Sequence, residues 1–273
     1  MSVLYIVPTP IGNMSDITER ARKVLSEAAF VACEDSRVGG KLLMLLGIKK
    51  PLFAYHEHNK QKAGDVIVER ILGGEDCALI TDAGTPAVSD PGEDLVRLCR
   101  KNGIDVIPLP GACAAVTALS ASGLPSRRFC FEGFLPEDGL KEYLTSIEKE
   151  KRTMIFYSAP HDLVKTLSTL YGALGDRNAA LCKELTKLNE KITVKKIGEL
   201  LEECKSAESI RGEYVIVVEG YVQKAEDEFW YTMSIPEHVE HYKSLGLSDM
   251  DAIKQTARDR NVPKGTIYKE VKG

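Results

Sequence analysis

Several familiar signatures are missing from the 273-residue chain, and each absence removes a class of protein. No run approaches 18 uninterrupted apolar residues, the length a membrane-spanning helix needs, so no span is indicated. The seven cysteines are scattered, odd in number and without a C-x-x-C pair. That usage suits a reducing cytosol and argues against a disulfide framework or a structural zinc site. No G-x-G-x-x-G follows a predicted strand and no G-x-x-x-x-G-K-[ST] occurs, which disfavours a Rossmann dinucleotide site and a P-loop. Excess positive charge is missing too: the net charge is −4, so any nucleic-acid partner must be held by local patches. The start, Met1 to Pro8, lacks a basic n-region and a cleavage site and reads as a first strand rather than a signal peptide.

What is present is a β/α alternation in a chain that is 44% hydrophobic, enough for a full core and two modest domains. Leu4–Val7, Phe30–Cys33, Leu52–Tyr55, Cys77–Ile80 and Ile104–Leu109 read as strands. Helical periods fall between them, the first capped by Asp16 with Glu19 three residues on. This predicts a mostly parallel sheet with helices on both faces. Phe129–Pro136 marks a crossing into a second α/β unit that ends in a strong β run, Tyr214–Val218. The expected boundaries are an N-terminal α/β domain over 1–122, a C-terminal α/β domain over 123–220, and a tail over 221–273. The tail begins with an acidic linker (Glu226, Asp227, Glu228), and residues 243–273 hold seven Lys/Arg against four Asp/Glu. Asp249–Asn261 reads as a helix, Val262–Gly265 as a turn and Thr266–Val271 as a second helix, a helix-turn-helix in outline.

The most informative stretch is Thr81–Gly92, where the Cys77–Ile80 strand empties into a loop of small residues, Gly and Pro. Such a loop lets backbone N–H and C=O groups approach a ligand closely, and Pro86 and Pro91 stiffen it. The alternative is a turn that needs Gly and Pro for geometry only. Three other loops fall at predicted strand ends: Pro8–Asn13, Glu34–Arg37 and Pro110–Ala114. All four would line the carboxyl edge of one sheet, a place for a cofactor. The plainer reading of Glu34-Asp35-Ser36-Arg37 is a helix N-cap with an internal salt bridge.

Other clusters admit two readings as well. His56-Glu57-His58 and His238-x-x-His241 invite a metal, but zinc needs three or four converging ligands and nothing flanks either pair, so no metal is expected. His56 and His58 fit RNA contact or a helix cap. Arg127-Arg128 and Lys183/Lys187/Lys191 suit phosphate contact, or a solvated helix face. Lys264, Thr266, Tyr268 and Lys269 suit phosphate and stacking, or a helical hairpin docked on the core. Gly39-Gly40 and Gly73-Gly74 read as helix-end punctuation.

Six of these segments occur together and in order: Pro8–Thr18, Glu34–Arg37, Tyr55–Asn59, Asp82–Gly92, Pro110–Leu119 and Lys183–Lys187. In that combination the chain resembles the bacterial small-subunit ribosomal RNA cytidine 2′-O-methyltransferases, of the tetrapyrrole-methylase (class III) fold. The resemblance runs from residue 3 to about 220, and more weakly through the tail. It implies two α/β domains with S-adenosylmethionine (SAM) in the cleft, usually as a homodimer, acting in the cytoplasm on 16S ribosomal RNA near the decoding centre. By that likeness Asp82, Ala83, Gly84, Thr85 and Val88 hold the methionine end and Pro8 closes one wall. Cys113 and Ala114 lie along the cofactor, while Tyr157, Leu181, Gly212 and Glu213 enclose the adenine. Glu34, Asp35, Arg37, His161, Lys183 and Glu184 are the candidates for base or RNA contact. The chain departs from the family pattern at Ser158–Asp162, where an acidic residue before Pro-His and a basic one after are expected. Rival readings are a precorrin-type tetrapyrrole methyltransferase, which typically reads G-D-P where this chain has Gly84-Thr85-Pro86, and a non-catalytic RNA-binding module with a degenerate SAM pocket.

Overall fold

Apolar runs become strands wherever both faces can be covered. Five of them, β1 (Val3–Ile6), β2 (Phe30–Cys33), β3 (Leu52–Ala54), β4 (Cys77–Leu79) and β5 (Asp105–Pro108), form one all-parallel sheet in the order β3-β2-β4-β1-β5. The computed structural model describes residues 2–223 and 228–272. Side chains alternate across this sheet as the strand period of two requires. Leu4, Phe30, Ala32 and Leu79 enter one core with Ile67 and Ile71 of α3 (Lys60–Leu72) and Leu95 of α4 (Glu93–Lys101). Val31, Cys33, Ala78 and Ile80 enter the other core. It is shared with Ala21, Val24 and Leu25 of α1 (Glu19–Glu27) and Leu43 of α2 (Ser36–Leu45). Each fully buried Leu, Ile or Phe contributes roughly 1.5–3 kcal/mol.

The strand order fixes where a ligand can lie. From β1 the chain runs to β2 over the face that carries α1, and from β4 it runs to β5 over the opposite face, under α4. The connections diverge between the adjacent strands β1 and β4, which opens a crevice beyond their carboxyl ends.

The second sheet, for which the sequence reading set no strand direction, is mixed. It comprises β6 (Phe129–Gly133), β7 (Thr153–Ser158), β8 (Asn178–Lys183), β9 (Lys191–Lys196) and β10 (Tyr214–Val218), in the order β6-β7-β10-β8-β9. Only β6 and β7 pair in parallel; the other three ladders are antiparallel. β9 has no counterpart in the sequence reading. Lys183, Lys187 and Lys191 do not share a helix face: they occupy the end of β8, the connecting turn and the start of β9. Glu184 and Thr186 take φ of 52° and 66°, left-handed values that rule out a helix there. One face of this sheet carries α6 (Leu140–Ile147), α7 (Leu163–Leu174) and α8 (Ile197–Ser206). The other face, with Ile155, Ala180, Cys182, Val215 and Val217, packs on Ala115, Ala118 and Leu119 of α5 (Ala114–Ser122). The small side chains of α5 let it lie close against that sheet.

Two local expectations change. The cap of α1 is Thr18, whose hydroxyl accepts the Ala21 N–H at 3.0 Å, while Asp16 lies in a preceding 3-10 turn capped by Asn13. Gly39 and Gly40 are inside α2 rather than at its end. A Cβ on Gly39 would come within 3.1 Å of the Cys33 Cβ, so close helix-strand approach is what that glycine permits.

Residues 1–221 and 222–273 form two separate compact units. In the second, α9 (Ile235–Ser244), α10 (Asp249–Asp259) and α11 (Lys264–Lys272) enclose Val239, Ala252, Ile253, Ala257 and Ile267. α10 and α11 follow the sequence reading. α9 was not anticipated, although Ser234 and Glu237 form a reciprocal capping box with Pro236 in the first turn. Of the acidic linker, Glu226 and Asp227 lie outside the described residues.

Candidate functional site

The loops that leave β1 and β4 are tied together at the crevice. Thr9 and Gly84 exchange both backbone hydrogen bonds, at 2.8 and 3.0 Å, and the Thr9 hydroxyl donates to the Thr81 carbonyl at 3.1 Å. Gly84 adopts φ +90°, a value side chains resist, so a glycine is what the bridge requires. From the β5 side, the Thr85 hydroxyl donates to the Ala112 carbonyl at 2.8 Å. Three of the four loops singled out in the sequence are therefore locked to one another by named bonds.

Between these loops and the second sheet lies a cavity of about 400 Å³. One wall is Asp82, Ala83, Gly84, Thr85, Val88, Ser89 and Asp90, continued by Cys113 and Ala114 at the start of α5. The opposite wall is Phe134, Tyr157–Pro160 and Glu213–Val215, with Ile11 at the edge. Phe131 and Phe134 each meet the Tyr157 ring edge to face, at 5.0 and 5.6 Å. The lining is mainly apolar with a few convergent polar groups, which is the character of a small-molecule site.

Nine of the sequence-picked binding residues line this cavity: Asp82, Ala83, Gly84, Thr85, Val88, Cys113, Ala114, Tyr157 and Glu213. Pro8, Leu181 and Gly212 do not. Pro8 is buried behind the loop against Gly111, where a Cβ would approach its own Cβ to 2.5 Å. Leu181 pairs with Ile216 inside the second sheet. Gly212 lies against the Glu184 side chain. Ile11, Ser89, Asp90, Phe134, Ser158, Ala159, Pro160, Tyr214 and Val215 were missed. Asp90 was legible as part of the loop, and Ser158–Pro160 as the departure from the family pattern; Tyr214 and Val215 looked like any buried strand.

The polar candidates divide into three groups. Asp35 caps α2, accepting the Arg37 N–H at 2.8 Å and its guanidinium at 2.6 Å, so the plainer reading of that segment describes its structure. Those bonds hold the Asp35 carboxyl at about 2. Glu34 lies behind Thr81, whose hydroxyl reaches it at 3.4 Å; burial, and then the charge of Asp82, raise its pKa. In the second group Lys187 donates to Glu184 and Glu213, each at 2.9 Å, and Glu184 also accepts the Glu213 N–H at 2.9 Å. Hydrogen bonding from Lys187 lowers the Glu184 pKa. Lys183, at the end of β8, holds its ammonium 6.0 Å from the Tyr214 ring. His161 stands apart, with its side chain 79% exposed and 3.1 Å from Asp162.

Neither histidine pair gathers ligands: among the described residues no group of three or more His, Cys, Asp or Glu converges on a point. Asn59 is the N-cap of the helix after His56-Glu57-His58, and its side chain accepts the His56 N–H at 2.8 Å. In the tail, His238 is fully buried, bonded to Asp259 through Nε2 and to Arg260 through Nδ1, each at 3.1 Å. Lys254, Arg258, Asn261 and Lys264 line a groove of about 510 Å³ between α10 and α11.

A ligand crevice at the carboxyl edge of a parallel sheet, closed by a second mixed sheet, defines a two-layered cofactor-dependent α/β enzyme. The same fold is seen in a uroporphyrin-III C-methyltransferase from Thermus thermophilus complexed with S-adenyl homocysteine. That structure is 18% identical with a TM-score of 0.55, over 79% of this chain and 97% of that one. The family model for tetrapyrrole (corrin/porphyrin) methylases matches residues 3–201. Ribosomal RNA small subunit methyltransferase I of Halalkalibacterium halodurans is 46% identical over 97% of this chain and 93% of its own length. The Escherichia coli O157:H7 protein of the same name is 50% identical, over 82% and 80%. The chain belongs to the tetrapyrrole methylase family, and within it to the ribosomal RNA small subunit methyltransferase I group.

Proposed function

We propose that this protein transfers a methyl group from SAM to the 2′-hydroxyl of a cytidine ribose in 16S ribosomal RNA. The observation that carries the reading is the cavity at the β1/β4 crevice, in a chain nearly half identical to ribosomal RNA methyltransferases along almost its whole length. The cavity's volume falls within the range of small-molecule sites. The Asp82 carboxylate on its wall, beside the loop that would hold the methionine end, suits a cationic ligand such as SAM and opposes a phosphate.

Asp82, Ala83, Gly84, Thr85 and Val88 would hold the methionine end through backbone groups, with Cys113 and Ala114 alongside. Tyr157 and Glu213, from the second sheet, would enclose the adenine. When bound, SAM supplies a methyl carbon that is already electrophilic. The protein's task is then to align a ribose hydroxyl and exclude water, largely a problem of positioning. Phe134 and Tyr157, in edge-to-face contact, line the cavity on one side. RNA contact is assigned to Glu34, Asp35, Arg37, His161, Lys183 and Glu184, and to the Lys254/Arg258/Lys264 groove of the tail. A cytoplasmic homodimer belongs to the same reading. Among the described residues no helix is long and apolar enough to cross a membrane.

Tritiated SAM offered with small ribosomal subunits, free ribosomal RNA and a precorrin tests the proposal. Label is expected in RNA, on a cytidine whose 3′ phosphodiester resists alkali because its 2′-oxygen is blocked. Label in the precorrin alone, or in a base after nuclease mapping, overturns it.

A further inference from the structure

The proposed reaction releases the proton of a ribose hydroxyl, and the side chains around the cavity differ sharply in their ability to take it. Asp35 is bound to Arg37, and Glu184 and Glu213 are bound to Lys187. Asp82 is exposed and accepts the Asp35 N–H at 3.3 Å. Glu34 and His161 do not line the cavity. Asp90 does, and it is partly buried. The groups acting on it are Thr81, Glu34 and Asp82, with no cation among them. Ala87 and Ser89 on the approach to it take left-handed φ of 64° and 58°, and Ser89 lies beside Gly133, its hydroxyl 3.0 Å from where a Cβ there would be.

We infer that Asp90 is the general base of the methyl transfer, accepting the ribose 2′-hydroxyl proton inside the cavity. This rests on the function proposed above. As the ribose oxygen bonds to the methyl carbon, the carbon–sulfur bond breaks and its electron pair goes to sulfur. The hydroxyl proton passes to an Asp90 carboxylate oxygen and then to solvent. Burial, and then the charges of Glu34 and Asp82, push the Asp90 pKa up to about 6. It is therefore ionised at neutral pH yet more basic than an ordinary carboxylate. Tyr157, on which the Asp90 charge also acts, is pushed up to about 12, chiefly by burial, and stays protonated.

Single-turnover methylation of small ribosomal subunits from about pH 5 to about pH 8, with SAM binding measured by calorimetry on the same samples, tests the inference. The wild-type rate is expected to fall on the acid side of about pH 6. Asp90→Asn should lower the rate roughly 10²-fold or more and remove that acid limb, with SAM affinity within about threefold of wild type. Glu34→Gln should move the acid limb of whatever rate it retains to lower pH, because it removes a repelling charge while leaving the base. An Asp90→Asn enzyme that keeps its rate and its acid limb overturns the assignment. So does one whose SAM affinity falls in step with its rate, which would make Asp90 a cofactor contact. A wild-type protein that binds SAM but labels no RNA overturns both this inference and the proposed function.

Discussion

Gly84→Ala isolates the loop on which the site depends. A Cβ at this position would meet Ile11 Cγ2 at 3.4 Å and the Ala112 carbonyl oxygen at 3.8 Å, which is ordinary contact, so crowding is not the problem. The problem is φ +90°. A side chain held there costs about 1–3 kcal/mol. If the loop relaxes instead, the two hydrogen bonds between Thr9 and Gly84 are lost, at about 0.5–1.5 kcal/mol each. The chain takes the cheaper course, so either way the variant loses about 1–3 kcal/mol. For a unit of 221 residues each of those kcal/mol lowers Tm by about 2–4 °C. Stability alone does not identify a binding loop, and Gly74→Ala supplies the control. Gly74 has φ +106°, nothing within 4 Å of its would-be Cβ, and a place in the turn between α3 and β4 outside the cavity. Both variants should lose comparable stability by thermal unfolding. Only Gly84→Ala should lose SAM affinity by calorimetry, by about tenfold or more, equivalent to about 1.4 kcal/mol. Equal SAM affinities in the two variants would refute the assignment of the loop as the cofactor cradle.

Other outcomes follow from the tail and from the caps. The His238 Nδ1 accepts from Arg260 Nε, so its proton is on Nε2 and points to Asp259; burial, and then the Arg260 charge, lower its pKa. A depressed folded value means the unfolded state binds the extra proton first, so the tail should lose stability as pH falls below about 6.5. Trp230, the single tryptophan, stacks on His238 at 5.5 Å and reports this directly: the urea midpoint of its fluorescence should drop on acidification, and a rise would contradict the assigned tautomer. Arg258→Ala with Lys264→Ala should weaken RNA binding and flatten its salt dependence by roughly one to two phosphate contacts while SAM affinity holds; an unchanged slope would remove the α10–α11 groove from the RNA path. Thr18→Ala should cost about 1 kcal/mol and Asp16→Ala much less, because only Thr18 caps α1; the reverse order in denaturant titrations would reinstate Asp16.

Much of the first sheet was legible because its three inner strands, β1, β2 and β4, are buried on both faces, which leaves continuous apolar runs bounded by Gly, Pro and Asp. Phe30–Cys33 and Tyr214–Val218 could be read to the residue for that reason. β9 could not. It is an edge strand with lysine at three of its six positions, and Val194 is 51% exposed, so little apolar alternation remains. α9 was hidden similarly: only His238 and Val239 are buried in it, and one of those is polar. The cavity wall supplied by the first sheet was visible as loop composition. The facing wall was less so, because Phe134, Ser158 and Tyr214 reach the site through pairing of strands far apart in sequence. No local pattern records such a meeting.

The segment between Thr85 and Gly92 also carries backbone strain, and its placement is informative. Ala87 and Ser89 hold left-handed φ without being glycine or asparagine, a cost of about 1–3 kcal/mol each. A glycine at either position would remove that cost. It would also give the loop other backbone states, including ones that swing Asp90 away from the cavity. Alanine and serine restrict those states, and the absence of a side chain on Gly133 leaves room for the Ser89 hydroxyl in this arrangement. Strain retained beside a proposed proton acceptor is therefore read as pre-organisation. On this account Ala87→Gly should leave thermal stability unchanged within about 1 kcal/mol, since relief of strain and the added freedom of the unfolded chain offset each other. Methyl transfer should slow while SAM affinity changes little, because Asp82–Thr85 precede the hinge and, of the residues that would hold the cofactor, only Val88 lies between it and Asp90. Full activity in Ala87→Gly would show that the left-handed backbone serves only to complete the turn into α4.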